Sequence, residues 1–266
     1  MRFRLALGAV IVAALSAAVA SGVAAAPGNN YTCAGGSIAS GNYASITVTG
    51  FCNVVPNAVI NIAGNLNVAA GAVFDAQSAP STITVGHNVT AGAGSLLGLG
   101  CQPQNTIGKF AGVPCADPYG AGYTTITING NVTATNANTI FLRGAVAPGA
   151  GKLWIGGNVS LTGSVTENPW SIKGATIGGN LTIDGVIAEF LGVQFNTIGK
   201  NATLTNISVF DVDFPPPGVI VVGNTVANNL NCSGLLPFVA AGLIPGQTNY
   251  VGHKATGQCA AISTPL

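Results

Sequence analysis

Residues 177–185 read IGGNLTIDG: one β-branched position, a Gly-Gly-Asn step, then Leu181-Thr182-Ile183-Asp184, in which apolar and polar residues alternate. Alternation of period two marks a strand with one buried face, and Gly followed by Asn is turn chemistry. The nine residues therefore read as strand, corner, strand. Close copies are INIAGNLNV (60–68), ITINGNVTA (126–134), LWIGGNVSL (153–161) and ATIGGNLTI (175–183). Looser copies are ITVGHNVTA (83–91), NTIGKNATL (196–204) and VIVVGNTVA (219–227). The corner asparagines are then Asn65, Asn88, Asn131, Asn158, Asn180, Asn201 and Asn224, with steps of 23, 43, 27, 22, 21 and 23. NTIGKF (105–110) matches NTIGKN (196–201) and splits the step of 43 into 22 and 21, which predicts a degenerate copy there. Asn42, 23 residues before Asn65, opens the series.

A repeat of about 22 residues, built from short β-branched strands without helical spacing, predicts an all-β fold: a right-handed parallel β-helix. One winding cannot bury its own apolar face, so neighbours must stack, at about 4.8 Å per winding. Glycine and asparagine tolerate positive φ, which suits a sharp corner. Asparagines repeated at that corner are expected to hydrogen-bond in a ladder. Phe74, Phe141, Phe190 and Phe210 follow their asparagines by nine or ten residues, which predicts one interior stack and turns Asp75, Glu189 and Asp211 outward. A β-sandwich with accidental repetition is the competing architecture.

Only 6% of the 266 residues are charged, against 48% apolar, and the formal net charge is +1. Such a chain has no electrostatic means of attracting nucleic acid or an anionic membrane. Residues 1–26 read as a signal peptide: Arg2 and Arg4 precede an apolar core from Leu5 to Val19, and cleavage is expected after Ala20 or Ala25. The remainder, 27–266, is expected to be a single β-helix domain with a C-terminal capping segment at 228–266, secreted and either extracellular or loosely associated with the cell wall. Later apolar runs are too short to span a membrane.

Six cysteines in an exported chain indicate disulfides, though six allow 15 pairings. Proximity favours Cys33–Cys52, Cys101–Cys115 and Cys232–Cys259, the first and last of which tie down the two ends. No CxxC occurs, and His87 and His253 lie far from any cysteine pair, so no metal site is expected. No cofactor is expected either. The IGK triplets at 107–109 and 198–200 lack phosphate-loop spacing, and no GxSxG elbow is present.

One acidic constellation remains. Glu167, Glu189 and Asp211 are spaced 22 and 22, with Asp213 close by, and are expected to stack on adjacent windings. Carboxylates so grouped serve acid/base chemistry or Ca²⁺ binding. Arg143 is the sole arginine of the mature chain and neither histidine shares the register, so the column reads as a solvated edge. The sequence is accordingly read as an exported structural or surface-interaction solenoid without catalytic activity. The alternatives are a polysaccharide lyase or hydrolase, or a carbohydrate-binding module with Trp154 and Trp170 as stacking residues. The expected partner is a cell-wall or extracellular polysaccharide, or a second copy of the chain, with no nucleic acid and no membrane for the mature form.

The tail GNTVANNLNCSG (223–234), followed by NYVGHKATGQC (249–259), resembles that of the uncharacterised secreted Gly-Asn-Val/Leu-Thr-Val repeat proteins of high-GC Gram-positive bacteria. The resemblance implies a β-helical exported protein and brings no catalytic residues with it.

Overall fold

The computed structural model describes residues 28–77, 80–100, 124–144, 151–210, 218–242 and 246–266. The expected signal peptide, Cys101, Cys115, Asp211 and Asp213 lie outside these residues. The chain is a parallel β-helix, and one winding shows its plan. Leu153–Ile155 runs along a first face, Gly156-Gly157-Asn158 turns the corner, and Val159–Val165 forms a second face. Trp170–Lys173 makes a third face, and Ala175–Ile177 resumes the first face one step along the axis. Among the described residues the first two faces belong to one 19-stranded sheet and the third is a sheet of nine. Among the described residues the only helical segment is a short 3-10 turn, Ala260–Ile262.

Alternation sends every second side chain inward, where like stacks on like. Val85, Ile128, Ile155, Ile177, Ile198, Val226 and Val251 succeed one another in register on the first face. Val89, Val132, Val159 and Leu181 do so on the second, and Leu97, Ile140, Trp170 and Leu191 on the third. All are buried. Each fully buried side chain of this kind contributes roughly 1.5–3 kcal/mol.

The asparagine ladder forms with two changes of membership. Asn88 donates its backbone N–H to Asn65 Oδ1 at 3.0 Å, and Asn131, Asn158, Asn180 and Asn201 continue the pattern at 2.8–3.1 Å. The next rung is Asn229, at 3.2 Å from Asn201 Oδ1, and not Asn224. Ile198 pairs with Val226 and Ala202 with Leu230, so the winding turns at Ala227-Asn228-Asn229, and Val219–Val222 is a third-face strand. Asn42 also lies off the ladder. It accepts from Asn61 Nδ2, and Ile46 pairs with Leu66, which leaves Ser45 opposite Asn65.

The step of 43 is a single winding, because Ser81–Val85 pairs directly with Thr125–Ile128 and Val89–Ala91 with Val132–Thr135. NTIGKF itself lies outside the described residues, and the described strands on either side of it are direct neighbours, against the expected extra copy. Extra residues between the third and first faces leave the register of the stack intact, which spacing alone does not reveal.

Corner glycines serve close approach and not positive φ. A Cβ on Gly179 would stand 2.5 Å from Asn158 Oδ1, and one on Gly157 2.4 Å from Asn131 Oδ1. Positive φ occurs instead at the other two bends, between the second and third faces at Gly163 (64°), Gly185 (68°), Asn206 (53°) and Gly234 (64°), and between the third and first at Gly100 (74°), Gly174 (62°) and Gly223 (66°). These are residue types that tolerate the left-handed region.

The phenylalanines do not form one stack. Phe74 is buried, but it pairs with Leu97, whereas Phe141 pairs with Gly98 and so points to the opposite side of the sheet. Phe190 packs against a small cluster of Ile220, Val222 and Ala240, and Phe210 is exposed. A winding of variable length shifts the alternation by one, which reverses the face.

Asn224 belongs to a second, buried ladder. Asn196 gives its N–H to Asn224 Oδ1 at 3.0 Å, and Asn224 gives its own to Asn249 Oδ1 at 3.2 Å. Their Nδ2 groups also donate to Ile172 O, Val193 O and Val221 O. The donors of this ladder point toward the C-terminus and those of the first ladder toward the N-terminus. Asn224→Ala would strand several buried partners, each costing about 1–3 kcal/mol. It is expected to lower stability by about 3 kcal/mol or more in urea denaturation, against about 1 kcal/mol for Asn158→Ala, whose partners are open to water.

Disulfides Cys33–Cys52 and Cys232–Cys259 close loops of 19 and 27 residues at the two ends. At the C-terminal end the Gln258 side chain acts as a further strand partner. Its Oε1 accepts from Leu235 N and its Nε2 donates to Leu235 O, both at 2.7 Å. Replacing Cys232 and Cys259 by Ser is expected to cost about 3 kcal/mol. Because a solenoid winding touches only its neighbours, hydrogen exchange should rise at 249–266 and stay unchanged near residue 128.

Candidate functional surface

Outward positions on the first two faces carry ranks of small polar side chains. On the second face Asn67, Thr90, Thr133, Ser160, Thr182, Thr203 and Asn231 succeed one another in register, each two residues after its corner. A second rank beside it holds Thr135, Thr162, Asp184, Thr205 and Ser233. The first face has a third rank: Thr84, Thr127, Trp154, Thr176, Thr197 and Thr225. Threonine suits these places because its branched Cβ is stiff and favours extended backbone while its hydroxyl faces water. Asp184 is the only charged member of these ranks, and it accepts from Thr205 Oγ1 at 2.5 Å and Asn206 Nδ2 at 3.0 Å.

The two tryptophans part company. Trp154 is 41% exposed in the threonine rank of the first face, its ring lying against Gly156. Trp170 is fully buried and donates Nε1–H to Asn138 O at 3.1 Å. It is a core residue, which removes it as a stacking platform. An inward position on a third-face strand decides this, and the neighbouring Ile172 was the available signal.

Of the acidic column, Glu167 is exposed and Glu189 half-buried. Val165 pairs with Ile187, and each carboxylate follows two residues later on its own winding. On the next winding Ala188 pairs with Val209, the last pair before Asp211 passes outside the described residues. No group of three or more His, Cys, Asp or Glu suited to a metal occurs among the described residues.

Sequence reasoning did not anticipate a pair of cations on the third face. Arg143 packs 4.3 Å from the centroid of the Phe141 ring and pairs in register with Lys173 on the next winding. Burial lowers the Arg143 guanidinium to about 10, and its Nε is buried without a hydrogen-bond partner. Burial, then the charge of Arg143, lowers Lys173. Register is what brings the two together, since 30 residues separate them in the chain. Comparisons with known protein families, curated proteins and solved structures find no match.

A base with a lowered folded value destabilises the fold while protonated, and the loss fades as pH rises through that value toward the ordinary lysine range. Lys173→Gln is therefore expected to gain up to about 1 kcal/mol at neutral pH by removing a largely buried charge and then its repulsion from Arg143 in register. The gain should shrink in alkaline buffer, as read by thermal unfolding at both pH values.

Proposed function

We propose that this is an exported, non-catalytic solenoid whose flat, nearly uncharged faces engage an extended surface outside the cell. The observation that carries the reading is the register of the ranks: small polar groups, mostly threonine, at equivalent places on successive windings present a lattice. The disulfides at both ends suit an oxidising compartment. No helix among the described residues is long and apolar enough to cross a membrane. The leader at 1–26 supplies the route out, and the mature terminus should follow Ala20 or Ala25.

A second reading, a carbohydrate-binding module, is favoured by Trp154, an exposed ring among hydroxyls where a sugar face stacks. Affinity electrophoresis in polysaccharide gels separates the two: retardation abolished by Trp154→Ala selects the module.

Against the enzyme reading, the acidic residues act as a solvated edge. Changing Glu167, Glu189 and Asp211 together to Gln, Gln and Asn is expected to alter stability by no more than about 1 kcal/mol. Ca²⁺ should leave the melting temperature of the unaltered chain in place. Release of reducing ends from an acidic polysaccharide, lost in the triple variant, would make the chain a carbohydrate-active enzyme instead.

A further inference from the structure

We propose that the second face binds ice, an inference that rests on the reading of these faces as contacts for an extended surface. Thr133 with Thr135, Ser160 with Thr162 and Thr203 with Thr205 each place two hydroxyls on one strand, outward and two residues apart. Along the axis the same positions repeat at the strand spacing of about 4.7–4.9 Å, and along the strand at about 6.6–6.8 Å. The result is a two-dimensional grid of hydroxyl and methyl groups whose two repeats are of the same order as the oxygen repeats in the surfaces of hexagonal ice.

Three features favour frozen water as the occupant. Charge complementarity is the first. The two ranks of the grid hold a single ionised group, Asp184, whose carboxylate is taken up by Thr205 Oγ1 and Asn206 Nδ2, and the rank through Thr90, Thr133, Ser160, Thr182 and Thr203 holds none, so the face offers little to a charged polymer. Ionised side chains would also hold hydration shells that do not fit a lattice, whereas hydroxyls donate and accept as water does. Rigidity is the second. The grid is built on parallel strands fixed by the asparagine ladder on one side and a bend of Gly and Asn on the other. Threonine's restricted χ1 keeps the hydroxyls in one arrangement. The third is dry backing, since Val132, Val159 and Leu181 lie buried directly beneath. Trp154 interrupts the equivalent rank on the first face, and that rank is accordingly left out of the site.

The test uses the mature, disulfide-bonded chain. It is frozen slowly onto a cold finger, its partition between ice and liquid is measured, and crystal shape and thermal hysteresis are recorded by nanolitre osmometry. The unaltered chain should concentrate in the ice and facet the crystals. Thr133→Lys with Thr182→Lys should cut incorporation by about tenfold or more, a loss of at least 1.4 kcal/mol. Thr176→Lys on the first face should leave it intact. If the lysine pair lowers the melting temperature, Thr133→Val with Thr182→Val keeps shape and removes only the hydroxyls, and should weaken faceting without unfolding. Exclusion of the unaltered chain from ice, to the degree of a protein that does not bind it, overturns the proposal. So does equal incorporation of the lysine pair. Adsorption to crystalline cellulose or chitin with exclusion from ice also overturns it, while leaving the surface-interaction reading standing.

Discussion

An asparagine side-chain oxygen that accepts the backbone N–H one winding later is the contact on which the rest of this structure depends. At the corner of the first and second faces the glycine N–H groups bond to backbone carbonyls of the preceding winding, whereas the asparagine N–H turns to a side-chain oxygen. Asn131, Asn158, Asn180 and Asn201 supply acceptors at the repeat distance of the sheet, so the corner stacks as regularly as the strands. The acceptor oxygen occupies the space a Cβ would need, which is why Gly157 and Gly179 precede their asparagines. Repetition of Gly-Asn with almost no charge follows from one requirement: neutral groups stack on themselves, and like charges in register repel.

Register fixed at the corner propagates in both directions. Inward, it places aliphatic side chains above one another and makes a continuous core from windings that bury nothing alone. Outward, it turns a preference for threonine in strands into ordered ranks. On the third face the same register brings Arg143 and Lys173 side by side, a cost in repulsion and desolvation that a less strictly stacked fold would avoid. The buried ladder of Asn196, Asn224 and Asn249 shows the limit of apolar stacking. The same inward column holds Ile126, Leu153 and Ala175 earlier in the chain, then changes to a fully hydrogen-bonded polar set toward the C-terminus. A buried amide is tolerated there because both its oxygen and its nitrogen are engaged.

The ends obey a different rule, since a terminal winding has a neighbour on one side only. Cys33–Cys52 and Cys232–Cys259 hold the outermost turns, and the Gln258 amide takes the place of a peptide group beside Leu235.

The sequence by itself determined the fold class and the corner asparagines from Asn65 to Asn201, and proximity along it pointed to Cys33–Cys52 and Cys232–Cys259 without excluding other pairings. Each depends on local chemistry repeated at a nearly constant interval, which a linear reading detects. It misassigned Asn224, Asn42 and the segment around NTIGKF, because hydrogen bonding across windings, and not spacing, decides which residues are equivalent. The phenylalanines were misplaced for a related reason: a single extra residue in a winding reverses which side of a strand faces inward. The threonine ranks and the Arg143–Lys173 pair were written in the sequence as scattered residues. Only the stacked structure decided that they are neighbours, because sequence separation says nothing of distance along the axis once windings differ in length.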